Sequence, residues 1–120
     1  MIYLCSVYSV NNASKELMQR RYEYVRKKTA EFLMLHVPIF SPIVHCHEVA
    51  KHFELPKTWE FWKEIDFAYL NGCTTVFVLK MPHWKKSVGV NAEIEYAKSN
   101  NIPVHYILCN DYVEVDGGSV

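Results

Sequence analysis

The chain of 120 residues is long enough for one ordinary domain and too short for two independent ones. Half of its residues are hydrophobic and 22% are charged, which excludes a disordered or fibrous chain. Lys plus Arg and Asp plus Glu both number 13, so no net field draws it to a nucleic acid polymer or an anionic membrane.

Residues 1–7 are an apolar run without a helix signal and predict a first buried strand. Asn11, Asn12 and Ser14 supply cap-type residues before a long amphipathic helix over 15–35, which places Leu17, Tyr22, Val25, Phe32 and Leu33 mostly at helical spacing. Residues 37–41 read as a second strand, with Pro38 near its start. A short helix over 45–53 ends before Leu55-Pro56, and Thr58 caps a further helix over 59–70 that Asn71-Gly72 stops. Residues 74–79, β-branched and aromatic on both faces, predict a central parallel strand. A loop over 82–86, a helix over 88–99 and a strand over 104–108 follow, and the tail over 110–120 is expected to fray.

Strands alternating with helices predict an α/β fold: a single-domain open parallel sheet with helices on both faces, flavodoxin-like or Rossmann-like, over 1–110, with 111–120 as a flexible tail. No internal repeat or low-complexity stretch interrupts it. Cys5, Cys46, Cys73 and Cys109 are scattered without a CxxC pair and read as buried free thiols. The start lacks a signal-peptide pattern, and no apolar run reaches the roughly 18 residues of a spanning helix. The expected compartment is the cytoplasm.

Ligands of such sheets sit beyond the carboxyl ends of the strands, which directs attention to 6–9, 41–47 and 80–89. In the third, Ser87-Val88-Gly89-Val90-Asn91-Ala92-Glu93 joins a loop to a helix start, where free N–H groups favour a phosphate or carboxylate. Glu93 lies about one and a half turns into that helix, within reach of a ligand there, or else merely complements the helix dipole. His45 and His47 flank Cys46 without a zinc pattern, so His45 is a ligand-facing or a structural histidine and no metal is expected. Trp59 and Trp62 are three apart on one helix, which favours core or subunit contacts, whereas Trp84 in the loop is the base-stacking or lid candidate. Lys80, Lys85 and Lys86 make that loop locally positive.

Ser87, Gly89, Glu93 and Ala97 match the nucleophile motif of the nucleoside 2-deoxyribosyltransferase superfamily. The resemblance extends over Ile2-Tyr3-Leu4, Phe40-Ser41-Pro42-Ile43 with His45 and His47, Trp59-Glu60-Phe61-Trp62, Asp66 and the apolar third strand, and looks closest to small bacterial and phage members without an assigned activity. It implies that Glu93 attacks C1′ of a deoxyribosyl unit, that Tyr3 orients it, and that Asp66 protonates or positions the departing base. From the residues alone, Tyr3 is a core tyrosine and Asp66 a solvated charge.

Relatives acting on free nucleosides resemble one another in carrying Asp where Ser87 stands, and those acting on 5′-monophosphates carry Ser, so the resemblance implies a monophosphate substrate and no cofactor. The loop Ser6-Val7-Tyr8-Ser9 departs from the glycine-rich loop of some relatives. The phosphate cradle is therefore expected partly from the hydroxyls of Ser6 and Ser9, with charge from Arg20 or Arg21. A homodimer or higher homo-oligomer across the 59–70 helix is also implied, the alternative being that its second apolar face packs under 49–55 within one chain. Two further readings stand beside the enzyme: a non-catalytic nucleotide-binding or sensing module, and a receiver-type domain, whose acidic cluster is missing after the first and third strands.

Overall fold

The structure, a computed structural model, describes residues 1–114, so the part of the expected tail over 115–120 lies outside the described residues. Strand β1 (Ile2–Cys5) is almost wholly buried and central, as its unbroken apolar run requires. It pairs in parallel with β2 (Ile39–Phe40) on one side and with β3 (Thr75–Lys80) on the other, and β3 pairs in parallel with β4 (Val104–Leu108). The order β2-β1-β3-β4 makes an open, all-parallel sheet of the doubly wound kind, whose winding reverses between β1 and β3.

Strand alternation distributes the side chains. Tyr3 stands beside Phe40 and Val76, and Leu4 beside Phe77, so these two rows point to opposite faces. Phe77 meets Phe32 of helix α1 (Lys15–Met34), with ring centroids 5.5 Å apart. On the other face Phe40 meets Tyr69 of helix α3 (Trp59–Asn71) at 4.7 Å, and Tyr3 reaches Glu93 of helix α4 (Val88–Ser99). Helices thus cover both faces, and Phe67 stacked on Tyr96 at 4.5 Å locks α3 to α4.

Helix α2 (Pro42–His52) starts three residues before the expected position, because Ser41 caps it by accepting from the Val44 N–H and Pro42 occupies its first turn. Strand β2 shrinks to two residues as a result. Ser14 and Ser87 cap α1 and α4 in the same way, accepting from the Leu17 and Val90 N–H groups.

Residues 111–114, within the tail expected to fray, make side-chain contacts with α1. The Arg21 guanidinium, wholly buried in α1, grips the Glu114 carboxylate through Nε at 2.7 Å and Nη2 at 3.0 Å. Tyr24 donates to Asp111 at 2.6 Å, and its ring lies 4.6 Å from that of Tyr112. Among the described residues, no helix is long and apolar enough to cross a membrane.

Candidate active site

The switch between β1 and β3 opens into a cavity of about 1360 Å³. Its wall is drawn from the loop after β1 (Ser6, Tyr8, Ser9), the cavity side of α2 (Cys46, His47), α3 (Trp59, Trp62, Asp66) and the start of α4 (Ser87, Gly89, Glu93). Seven of the nine sequence-predicted site residues therefore meet: Ser6, Ser9, Asp66, Ser87, Gly89 and Glu93 on the wall, and Tyr3 behind Glu93.

Glu93 is buried on the face of α4 that meets the sheet. The Tyr3 hydroxyl donates to its Oε2, and the Cys5 thiol approaches Oε1 at 3.3 Å. Burial pushes the carboxyl up to about 8; nearby Asp66 adds to the rise, and the bonds from Tyr3 and Cys5 oppose it. Asp66, partly buried on α3, is itself pushed up to about 7 by burial. Burial also raises the Tyr3 hydroxyl, next to Glu93 and Asp66, so Tyr3 remains a donor. The two carboxyls share one cavity, each raised first by burial, with Asp66 further disfavouring the ionisation of Glu93.

At the anion end, the Ser87 oxygen accepts from the Val90 N–H and retains its own proton to donate to a ligand. The helix start aligns further N–H groups there. A β-carbon on Gly89 would sit 3.3 Å from the Trp59 ring, so the missing side chain is what lets that indole lie over the first turn of α4. Ser6 Oγ is buried without a hydrogen-bond partner at the same wall, a polar atom with unused capacity beside a ligand-sized space.

Two expected site residues are elsewhere. His45 packs against Phe40 and Tyr69, at 5.5 and 5.9 Å, and leaves the wall to His47. The early start of α2 sets this phase: Pro42, Ile43, Cys46, His47 and Ala50 share the cavity side, and 45 falls off it. His47 is held by Tyr8 at 2.6 Å, by Gln19 at 2.9 Å and by a stacked Tyr22 ring at 3.9 Å. Trp84 sits in a 3₁₀ turn (Trp84–Lys86), packs on Tyr106 at 5.5 Å, and borders a separate depression of about 470 Å³ with Lys80 and Lys85. The tryptophans on the wall are Trp59 and Trp62, read from sequence as core or subunit contacts. Arg21, considered for phosphate charge, is committed to Glu114 and to the Tyr8 and Val10 carbonyls, whereas Arg20 does reach the wall.

Comparison with protein families matches residues 1–108 to a family described as a domain of unknown function, DUF1937. The chain belongs to that family. No curated protein matches it. The DUF1937 match contains the whole sheet and every residue of the cavity wall, while Asp111, Tyr112 and Glu114, which clamp the end of the described chain to α1, lie past it. The match assigns no chemistry to the family, so function rests on the site itself.

Proposed function

We propose that this DUF1937 domain is an N-glycosidase or deoxyribosyltransferase that acts on a (deoxy)nucleoside 5′-monophosphate through Glu93. The observation that carries the reading is the placement of Glu93: a buried carboxyl held by Tyr3, at the switch-point cavity, with a second protonatable carboxyl, Asp66, on the same wall and a capped helix start beside them. The same residue types at these positions carry the resemblance to the deoxyribosyltransferases. Four free thiols accord with a cytoplasmic location.

The site supports a two-step displacement. A Glu93 carboxylate oxygen bonds to C1′ as the C1′–N bond breaks, and the electron pair leaves with the base, which takes a proton from Asp66. Water, or a second base, then attacks C1′ and gives its proton back to the Asp66 carboxylate, releasing the sugar phosphate or new nucleotide and the free Glu93 carboxylate. The reactive form holds one proton on the pair. With values of about 7 at Asp66 and about 8 at Glu93, the single proton rests mostly on Glu93, so the reactive arrangement, Glu93 ionised and Asp66 protonated, is the minor one of the two and peaks with the singly protonated pair between pH 7 and 8. The phosphate docks at Ser87 and the α4 N-terminus with Ser6 and Ser9, and Trp59 offers a face to a planar base.

One observation favours a non-catalytic nucleotide-binding module instead: in the ligand-free cavity burial keeps Glu93 protonated at neutral pH, and a neutral carboxyl donates a hydrogen bond rather than attacking. Incubation with each nucleoside and 5′-monophosphate, with and without an acceptor base, separates the readings. Free base or exchanged nucleotide, a bell-shaped kcat/KM with its maximum between pH 7 and 8, and loss of at least about a hundredfold in Glu93→Ala are the expected results. A nucleotide that raises the Tm without release of base supports the binder and refutes the enzyme.

A further inference from the structure

Each oxygen of the Glu93 carboxyl meets a different donor. Tyr3 serves Oε2, and Cys5, wholly buried, lies 3.3 Å from Oε1. The two donors stand two positions apart on β1, so strand alternation delivers both to the face that α4 covers. Cys5 does not line the cavity, so it touches the reactive carboxyl and no ligand. A thiol is a weak donor and a weak acceptor. Opposite an ionised Glu93 its proton points to Oε1; when Oε1 is protonated, the sulfur can accept.

The groups that face Glu93 are Tyr3 and Cys5 from β1 and Asp66 from α3. Asp66 in turn faces Cys46 of α2 and Tyr69 of α3. Of the groups facing Glu93, Asp66 opposes its ionisation, and Tyr3 and Cys5 favour it. Burial holds the Cys5 thiol well above its ordinary range, with Glu93 adding to the rise, so the sulfur keeps the proton that it donates.

We propose that Cys5 is a positioning residue for Glu93: its thiol holds Oε1 while Tyr3 holds Oε2, which fixes the rotation of the carboxylate and stabilises its ionised form. The proposal rests on Glu93 as the reactive group and not on which glycoside is cleaved. It makes the identity of residue 5 a control on the pH at which the site becomes active.

The test reads the Glu93 carboxyl directly in the ligand-free protein, by infrared titration of its C=O band from roughly pH 5 to roughly pH 10, with Glu93→Gln to assign the band. Removing the donor in Cys5→Ala moves the midpoint up by about half to one pH unit, and Cys5→Ser, with a stronger donor in nearly the same place, brings it back to or below the parent value. Cys5→Val fills the volume without a donor and gives the Ala result; it carries the test if the Ala variant does not fold. A midpoint unmoved in the folded donor-free variants, with only the Tm lowered, makes Cys5 a core residue and overturns the proposal. Because the midpoint is read without turnover, a shift in a protein that releases no base upholds the role of Cys5 and refutes the glycosidase reading alone. In an active enzyme the alkaline limb of kcat/KM, set by the higher of the two values, moves with the midpoint.

Discussion

Burying a carboxyl costs free energy chiefly in its charged form, so the site at Glu93 sets pH against stability. Its value rises from an ordinary 4.5 to about 8 on folding, so the folded state binds the proton more tightly than the unfolded one. The sign follows: below about 4.5 both states are protonated and there is no penalty, and as pH rises toward 8 the penalty grows until both are ionised. Glu93→Gln, which removes the charge and keeps an acceptor for Tyr3, is therefore expected to raise stability by about 2–4 kcal/mol above pH 8 and by little near pH 4. Urea unfolding at the two pH values checks this, and an equal change at both would show that Glu93 ionisation is not the source. At this scale the site was partly legible in the sequence. The motif around Glu93 pointed to that residue, to Ser87 and to Gly89 because it lies within one loop and one helix. Cys5, Trp59 and His47 were missed because their roles depend on which way a strand or helix faces. The signal for His47 was present in Ser41-Pro42, a cap followed by a first-turn proline, which fixes the phase of α2.

At the level of elements, helices and strands followed from local periodicity, with shifts of a few residues where a cap outweighed the apolar pattern. The end of the described chain did not, because its anchor joins residues 93 positions apart and leaves no local trace. Arg21 binds Glu114 with two nitrogens and, through Nη1, the Tyr8 and Val10 carbonyls at 2.8 and 2.9 Å, so the clamp also shapes the loop that lines the cavity. Both side chains are almost wholly buried. Glu114→Ala strands a guanidinium out of water and is expected to cost about 3–5 kcal/mol in urea unfolding, whereas replacing both partners with leucine should recover much of the loss. A loss below about 1 kcal/mol in the single variant would show that Arg21 finds water or another partner and that the clamp does not hold the loop.

At the scale of the whole molecule, the apolar residues of α3 divide into two sets. Trp59 meets Phe67, Phe67 meets Tyr96 and Tyr69 meets Phe40, so these are consumed within the chain. Phe61 and Ile65, one turn apart, remain 38% and 37% exposed. The alternative expected from sequence, that residues 49–55 cover this second face, is not what is seen: Val49 and Phe53 are themselves 52% and 77% exposed. Val49 of α2, its C-cap Phe53, and Phe61 and Ile65 of α3 thus present apolar side chains to solvent. We propose that a second copy covers them, since a symmetric pair buries the same self-complementary patch twice and closes without leaving a sticky end. Light scattering is expected to give about twice the chain mass of 14.1 kDa at micromolar concentration. Phe61→Glu combined with Ile65→Glu should return the particle to a single chain without loss of helix content, because neither residue is a core residue of its own fold. A parent protein of monomeric mass would remove the dimer, and these exposed residues would then belong to the monomer's own surface.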